Sequence, residues 1–280
     1  MARRRNLGTA LIMYQKTTKA LIFKIYLIIF INKVLYMLEL NKIYCCDVLD
    51  GLKQLDDKSI DLIITSPPYN KAGLNGIQNG TKWNATIDYG GNVNVDMVDE
   101  ETYENWQIEI LKECYRVLKD EGSMFYNHKN RIHTGHGEII SPYKWLYQTP
   151  FKIRQEIIWD RGSTNNVQIC RYLPTTELIF WLTKSIKPNF YRTRETMFKK
   201  EVWTFPFEKG TDHPAPFPLL LPNNIISCIP HDNNFVVLDP FMGSGTVAVS
   251  AIQYGCSYIG FEKFQEYVDM ANNRIKMERK

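Results

Sequence analysis

From Ile43 onward, short apolar runs alternate with segments of helical period. Ile43–Cys46 reads as a strand, and Val48–Leu55 as a helix with apolar residues at 48, 49, 52 and 55. Ile60–Thr65 is a second strand, whose run Asp61-Leu62-Ile63-Ile64 has the character of a buried one. Glu101–Leu118 is amphipathic, with Trp106, Ile110, Cys114 and Val117 at i, i+4, i+8 and i+11. Ser123–Tyr126, Ile153–Trp159, Glu177–Leu182, Phe235–Leu238 and Tyr258–Phe261 complete a set of seven strands. A helix opens at 213–218 and runs to about Cys228. Thr246–Tyr254 is a helix with Gly255 at its natural C-cap position, and Tyr267–Glu278 closes the chain. Strands alternating with helices predict an α/β fold with a doubly wound, mostly parallel sheet. No internal repeat and no second domain is visible.

Two interruptions of this pattern carry more information than the pattern itself. Residues 71–101 are polar and rich in Gly and Asn, a length and composition that predict a mobile active-site loop. Just before it, Thr65-Ser66-Pro67-Pro68-Tyr69-Asn70 ends the second strand. Two successive prolines each lack an N–H and fix φ, so the strand stops at Thr65 or Ser66 and the chain is stiff there. A hydroxyl, a proline carbonyl and an aromatic ring are thereby expected together at the strand's carboxyl end. In open α/β sheets that is where ligands bind.

Composition adds bounds. The 280 residues are 44% hydrophobic and 23% charged, ordinary for a globular protein. The net charge of +4 is uneven: residues 1–36 hold seven basic and no acidic residues, leaving 27 basic against 30 acidic in the remainder. Any nucleic-acid face must therefore be a local patch. One such patch is Lys184–Lys209, where basic residues interleave with Phe190, Tyr191, Phe198, Trp203, Phe205 and Phe207, a mixture suited to phosphates and bases. The six cysteines have no CxxC spacing and fit a reduced, cytoplasmic protein. His133 and His136 form an HxxH without further ligands, so no metal is expected. The apolar run Ala20–Ile31, broken only by Lys24, is shorter than the ~20 residues a bilayer span requires, and no cleavage site follows it. Residues 1–36 are expected to be an extension, with the working domain at 37–280 and no membrane partner.

The second chemical signal is Val236-Val237-Leu238-Asp239-Pro240-Phe241-Met242-Gly243-Ser244-Gly245-Thr246, a strand, a glycine turn and a helix start. Glycines let backbone approach a ligand, and the helix N-terminus offers free N–H groups. Glu262, sixteen residues past Thr246, ends the next strand, where an acid can accept from ribose hydroxyls. Neither GxGxxG nor a P-loop is present, which disfavours nicotinamide binding and excludes the latter.

Together and in this order, the Ser66-Pro67-Pro68-Tyr69 and Asp239–Thr246 motifs resemble the β-type, permuted amino-methylating DNA methyltransferases, over roughly Met37 to Lys280. The resemblance implies the seven-stranded, doubly wound sheet of the S-adenosylmethionine-dependent methyltransferases. It implies that Ser66, Pro67, Pro68 and Tyr69 form the catalytic site, with Ser66 and the Pro67 carbonyl accepting from the target amino group and Tyr69 stacking on a flipped base. Phe241, Gly243 and Gly245 would line the methionine end of S-adenosylmethionine, with Asp239 and Ser244 in the same turn. Glu262 would hold the ribose, Asp47 would lie near the adenine, and His213-Pro214 would close the pocket. Residues 184–212 would take the place of the target-recognition region. The implied partners are double-stranded DNA, a second copy in a homodimer, and a cognate restriction endonuclease. The absence of Pro-Cys excludes cytosine carbon-5 chemistry. Ser66, rather than an acid, favours cytosine N4, with adenine N6 as the alternative. An RNA amino-methyltransferase, a protein-glutamine methyltransferase and an inactive DNA-binding homologue are the further readings; Ser66 where the glutamine enzymes carry Asn, and the intact motifs, argue against the last two.

Overall fold

Burial of the Ile60–Thr65 run organises the molecule. The computed structural model describes residues 38–70, 98–132, 137–164, 171–193, 196, 199–206 and 218–278. In chain order the elements are β1 (Lys42–Cys45), α1 (Val48–Lys53), β2 (Ile60–Thr65), α2 (Glu100–Val117), β3 (Leu118–His128), β4 (Arg131–Ile132), β5 (Ile139–Ile140), α3 (Tyr143–Leu146), β6 (Lys152–Asp160), β7 (Thr176–Thr183), β8 (Val202–Thr204), α4 (Leu220–Ile226), β9 (Val236–Asp239), α5 (Thr246–Gln253), β10 (Ser257–Glu262) and α6 (Gln265–Glu278). Strands β4 and β5 form a separate two-stranded ribbon. The remaining eight form one sheet in the order β1-β10-β9-β2-β3-β7-β6-β8. Only β7 runs against its neighbours.

β2 is hydrogen-bonded on both edges, with Leu62 opposite Val237 of β9 and Ser123 of β3. Successive side chains point to opposite faces, so Leu62 and Ile64 enter one core and Ile63 the other. Leu62, Ile64, Phe125, Trp181 and Val237 share a cluster with Leu221 and Ile225 of α4, Val247 of α5 and Ala271 of α6. Ile63, Met124, Phe180 and Leu238 are equally buried on the other side. The helices likewise pack in two groups, α1 with α2 and α3, and α4 with α5 and α6.

The crossover after β2 runs through α2 to β3, whereas the crossover after β9 runs through α5 to β10. Because β2 and β9 are neighbours, their connections diverge between them. This is a topological switch point, and it leaves a crevice at the carboxyl ends of these two strands.

Three sequence expectations change. The sheet has eight strands rather than seven, because Val202–Thr204 adds in parallel to β6; three residues are too few for a visible period. Glu121-Gly122, between the expected helix Glu101–Leu118 and the expected strand Ser123–Tyr126, lies inside β3, where the register jumps from Ile60 opposite Leu118 to Leu62 opposite Ser123. Residues 98–101 do not belong to the polar loop: Asp99 caps α2, accepting from the Thr102 N–H at 2.9 Å. The expected extension at 1–36, residues 71–97 of the loop, the His133–His136 pair and His213-Pro214 lie outside the described residues. Among the described residues, no helix is long and apolar enough to cross a membrane.

Leu62 is fully buried between the two neighbouring strands. Leu62→Ala is expected to remove about 2–5 kcal/mol of unfolding free energy, measured by urea titration, through lost transfer energy and a residual cavity.

Candidate active site

The functional residues meet along one edge of the sheet, the carboxyl ends of the parallel strands. Reading across the strand order, this edge presents Asp47 after β1, Glu262 of β10, the Asp239–Gly245 turn of β9 and Ser66–Tyr69 of β2. Asn127 and His128 of β3, Glu177 near the start of the reversed β7, and Arg161 after β6 follow.

The two motif strands are joined directly. The Thr65 hydroxyl donates to Asp239 Oδ1 at 2.7 Å, and the same oxygen accepts from the Phe241 N–H at 3.0 Å. Asp239 is 1% exposed, and its Oδ2 is buried without a hydrogen-bond partner. Burial pushes its carboxyl up to about 7, against the opposing effect of its two donors. Asp239 therefore tethers one loop to the other while keeping one acceptor unused.

The turn after β9 follows from its glycines. Gly243 and Gly245 have φ of 49° and 81°, and Gly245 is the N-cap residue of α5. A Cβ at Gly245 would lie 2.9 Å from Ala271 Cβ, so the turn seats against α6 only as glycine. Glu262 holds the turn from β10: its carboxylate accepts from the N–H groups of Gly243 and Phe264, each at 3.0 Å. Burial raises its carboxyl above the ordinary range against those two donors. Two hydrogen bonds leave a carboxylate with acceptor capacity for further donors. Asp47 is the N-cap of α1, accepting from the Leu49 N–H at 3.0 Å, and it lies two residues after Cys45, which pairs with Glu262. Ser244 is buried, 3.5 Å from an Arg274 guanidinium nitrogen. Phe241 is half-buried and meets the Trp106 ring edge-on at 5.6 Å. Trp106, assigned from its spacing to the core stripe of α2, is half-buried and contacts Phe241 at the head of the glycine turn.

At the end of β2 the outcome differs from the expected display of a hydroxyl, a carbonyl and a ring. Tyr69 is 8% exposed and directs its hydroxyl inward. It lies 2.8 Å from Ser66 Oγ and donates to Glu177 Oε2 at 3.0 Å. Asn127 Nδ2 donates to the same Tyr69 oxygen at 2.9 Å, to Glu177 Oε2 at 3.0 Å and to Ser66 Oγ at 3.3 Å. Burial, followed by the nearby Glu177 charge, pushes the Tyr69 phenol well above its ordinary range. Arg161 donates to Glu177 Oε1 at 3.2 Å. The Tyr69 ring packs on His128 at 4.5 Å, and the Lys129 ammonium lies 5.7 Å above it. The Pro68 carbonyl accepts from the Tyr103 hydroxyl at 2.7 Å, and Tyr103 also bonds His128 Nε2 at 2.8 Å. Asn70, with φ of 50°, donates to the Val98 carbonyl at 3.0 Å. Glu100 pairs with the buried Arg131, so both ends of the 71–97 segment are anchored.

Trp106 was read from the sequence only as a core position, and Asn127, Glu177, Arg161 and Tyr103 were not singled out. Asn127-His128 could have been, as polar residues closing the apolar run Met124–Tyr126. The Lys184–Lys209 block is only partly available for contacts. Phe205 is buried, Phe190 and Trp203 pack on the core, and Lys199 is 2.8 Å from both Asn224 Oδ1 and Ser227 Oγ. Lys187, Tyr191, Arg192 and Lys200 remain exposed.

A family model described as DNA methylase, of the N6/N4 type, matches residues 60–273. The chain belongs to this family, and with it to the S-adenosylmethionine-dependent DNA methyltransferases that modify cytosine N4 or adenine N6. It is 30% identical over 261 residues to the Type II methyltransferase M.HinfI of Haemophilus influenzae, covering 85% of this chain and 68% of that one. The Type II methyltransferase M.BglII of Bacillus subtilis is 28% identical over 266 residues, covering 83% and 68%. In fold it is similar to the cytosine-N4-specific PvuII DNA methyltransferase, with a TM-score of 0.65 at 20% identity, covering 85% of this chain and 87% of that one.

The crevice residues fit the cofactor. A ligand bearing a cationic amine and a ribose diol would satisfy the unpartnered Asp239 Oδ2 and the remaining acceptor capacity of Glu262. The positive-φ glycine turn follows directly on Phe241, which Trp106 meets edge-on.

The raised Asp239 carboxyl has a consequence for stability. Folded protein retains this proton up to about pH 7 whereas unfolded chain loses it near 3.8, so the group's contribution to stability falls as pH rises between those values. In the protein without cofactor, Asp239→Asn is expected to abolish that fall, which is on the order of 4 kcal/mol at full ionisation. Urea unfolding at pH 5 and pH 8 checks this: the variant should gain relative to the parent at the higher pH.

Proposed function

We propose that this chain is a site-specific DNA methyltransferase that methylates the exocyclic amino group of a flipped base, cytosine N4 in particular. The observation that carries the reading is the junction of Ser66–Tyr69 with the Asp239–Gly245 turn across the switch point, tied by Thr65 and Asp239. When bound, S-adenosylmethionine supplies an electrophilic methyl on a cationic sulfur, whose bond electrons stay with the sulfur. Gly243 and Gly245 let the backbone approach the methionine end, Asp239 accepts from its ammonium, Glu262 from the ribose hydroxyls and Asp47 from the adenine. His213-Pro214 belongs to the same pocket in this reading.

An exocyclic amino group is a poor nucleophile because its lone pair is delocalised into the ring. Ser66 Oγ and the Pro67 carbonyl accept from its N–H groups, which favours a pyramidal nitrogen with its lone pair aimed at the methyl. The rate enhancement then comes from positioning and electrostatics, without a covalent enzyme intermediate. The base reaches this edge only out of the duplex, and Tyr69 is the ring on which it stacks. The exposed Lys187, Arg192 and Lys200 contact phosphates, and neighbouring residues of 184–212 read the site. Ser66 carries the cytosine-N4 assignment: a hydroxyl is a weaker acceptor than a carboxylate and suffices for a more polarised amino group. The naming of relatives as Type II methyltransferases supports a cognate restriction endonuclease as partner and a cytoplasmic setting.

Tritiated S-adenosylmethionine offered with duplex DNA, RNA and protein tests the reading, and label is expected in DNA alone. Nucleoside digestion of that DNA should yield N4-methylcytosine; N6-methyladenine as the sole product would overturn the base assignment. Tyr69→Ala should lower transfer by on the order of 10³-fold while leaving cofactor binding by calorimetry intact, since it removes both stacking and the Ser66 contact.

A further inference from the structure

Glu177 is a buried carboxylate that neither sequence motif contains. It stands at the start of β7, 6% exposed, with Asn127 and Tyr69 equally enclosed at 2% and 8%. Arg161, 9% exposed, bonds one oxygen and offsets the charge. The other oxygen faces the motif and accepts from both Tyr69 and Asn127.

The proton inventory of these groups sets a direction. A carboxylate can only accept, so the single proton of the Tyr69 hydroxyl goes to Glu177. The Tyr69 oxygen, 2.8 Å from Ser66 Oγ, must then accept from the Ser66 hydroxyl. With its own proton committed to Tyr69, Ser66 meets an incoming N–H as an acceptor. Asn127 reinforces the arrangement, since its Nδ2 bridges the three oxygens.

We propose that Glu177 is a positioning residue that supplies, through the Tyr69 hydroxyl, the negative charge that Ser66 lacks, and so makes Ser66 the acceptor for the target amino group. The proposal rests on amino-methyl transfer occurring at Ser66–Tyr69. Methylation leaves the amino nitrogen with a new bond to carbon and one hydrogen too many. That proton passes to Ser66 Oγ as the Ser66 proton passes to the Tyr69 oxygen and the Tyr69 proton to Glu177 Oε2. Each hydroxyl oxygen loses one bond to hydrogen as it gains one, the base leaves neutral, and Glu177 ends protonated until solvent reclaims the proton. The raised Tyr69 phenol agrees with a hydroxyl that relays a proton but is not ionised at rest.

Single-turnover methyl transfer to duplex DNA by the full chain tests this. Tyr69→Phe keeps the ring and removes only the hydroxyl link, so it is independent of whether Glu177→Gln, which strands Arg161, folds well. Each substitution is expected to lower the rate by on the order of 10²-fold with KM for S-adenosylmethionine unchanged, and the double variant should be no slower than either alone. Ser66→Asp introduced with Glu177→Gln puts a carboxylate directly at the acceptor position, and should recover at least about tenfold of the loss. A Tyr69→Phe rate equal to the parent's, or a Ser66→Asp/Glu177→Gln protein no faster than Glu177→Gln, would overturn the proposal. Absence of transfer by the unaltered chain would overturn the underlying assignment of the site, and this proposal with it.

Discussion

The Thr65–Asp239 hydrogen bond, 2.7 Å long and fully buried, is the interaction on which the site depends. It joins the last residue of β2 to the last residue of β9, neighbouring strands that send their crossovers in opposite directions. Strand pairing alone brings the two ends close, with Leu62 opposite Val237 and Ile63 opposite Leu238. The hydrogen bond adds orientation, because the Asp239 oxygen that receives Thr65 also receives the Phe241 N–H and so starts the glycine turn. The proposed acceptor loop and the proposed cofactor loop are thus held through one carboxylate. Such a buried group is costly to leave unpaired, and low-dielectric surroundings strengthen the bonds it does make.

Acidic groups recur along this edge, and each is handled differently. Asp47 caps a helix, Glu262 takes two backbone N–H groups, Asp239 takes a hydroxyl and an N–H, and Glu177 takes a guanidinium, a phenol and an amide. The edge therefore collects acceptors whose charge is largely met by donors within the protein. The exposed cations Lys187, Arg192 and Lys200 lie instead in the segment leading to the outermost strand β8. This separation answers the charge problem posed by the sequence, in which residues 37–280 are slightly acidic overall. A local basic face is sufficient where phosphate contacts supply affinity and the crevice supplies chemistry.

Much of this architecture is local in origin and was therefore legible. The β2 run, the double proline that ends it, the glycines after β9, the Gly255 turn at φ of 70° and the acid at the end of β10 are each decided within a few residues, by backbone sterics and the alternation of apolar side chains. Their order along the chain was enough to indicate the fold and the class of chemistry. Two kinds of feature were not available in this way. β8 is three residues long and exists because β6 offers an open edge. Trp106 had the spacing of a core residue, yet it meets Phe241, a residue 135 positions away that its own helix does not specify.

The partners of the buried polar groups belong to the same second category. Tyr69 and Glu177 are 108 residues apart, and Thr65 and Asp239 are 174 apart. Nothing in either segment names its partner, because a hydroxyl or carboxylate has the same composition whether it caps a helix, contacts a ligand or crosslinks two strands. Strand order and direction decide between these: the reversal of β7 brings its first residues, rather than its last, to the edge where β2 and β3 end. Local sterics wrote the strands, the turns and the two motifs into the chain, and the packing of distant strands determined which acid each hydroxyl meets.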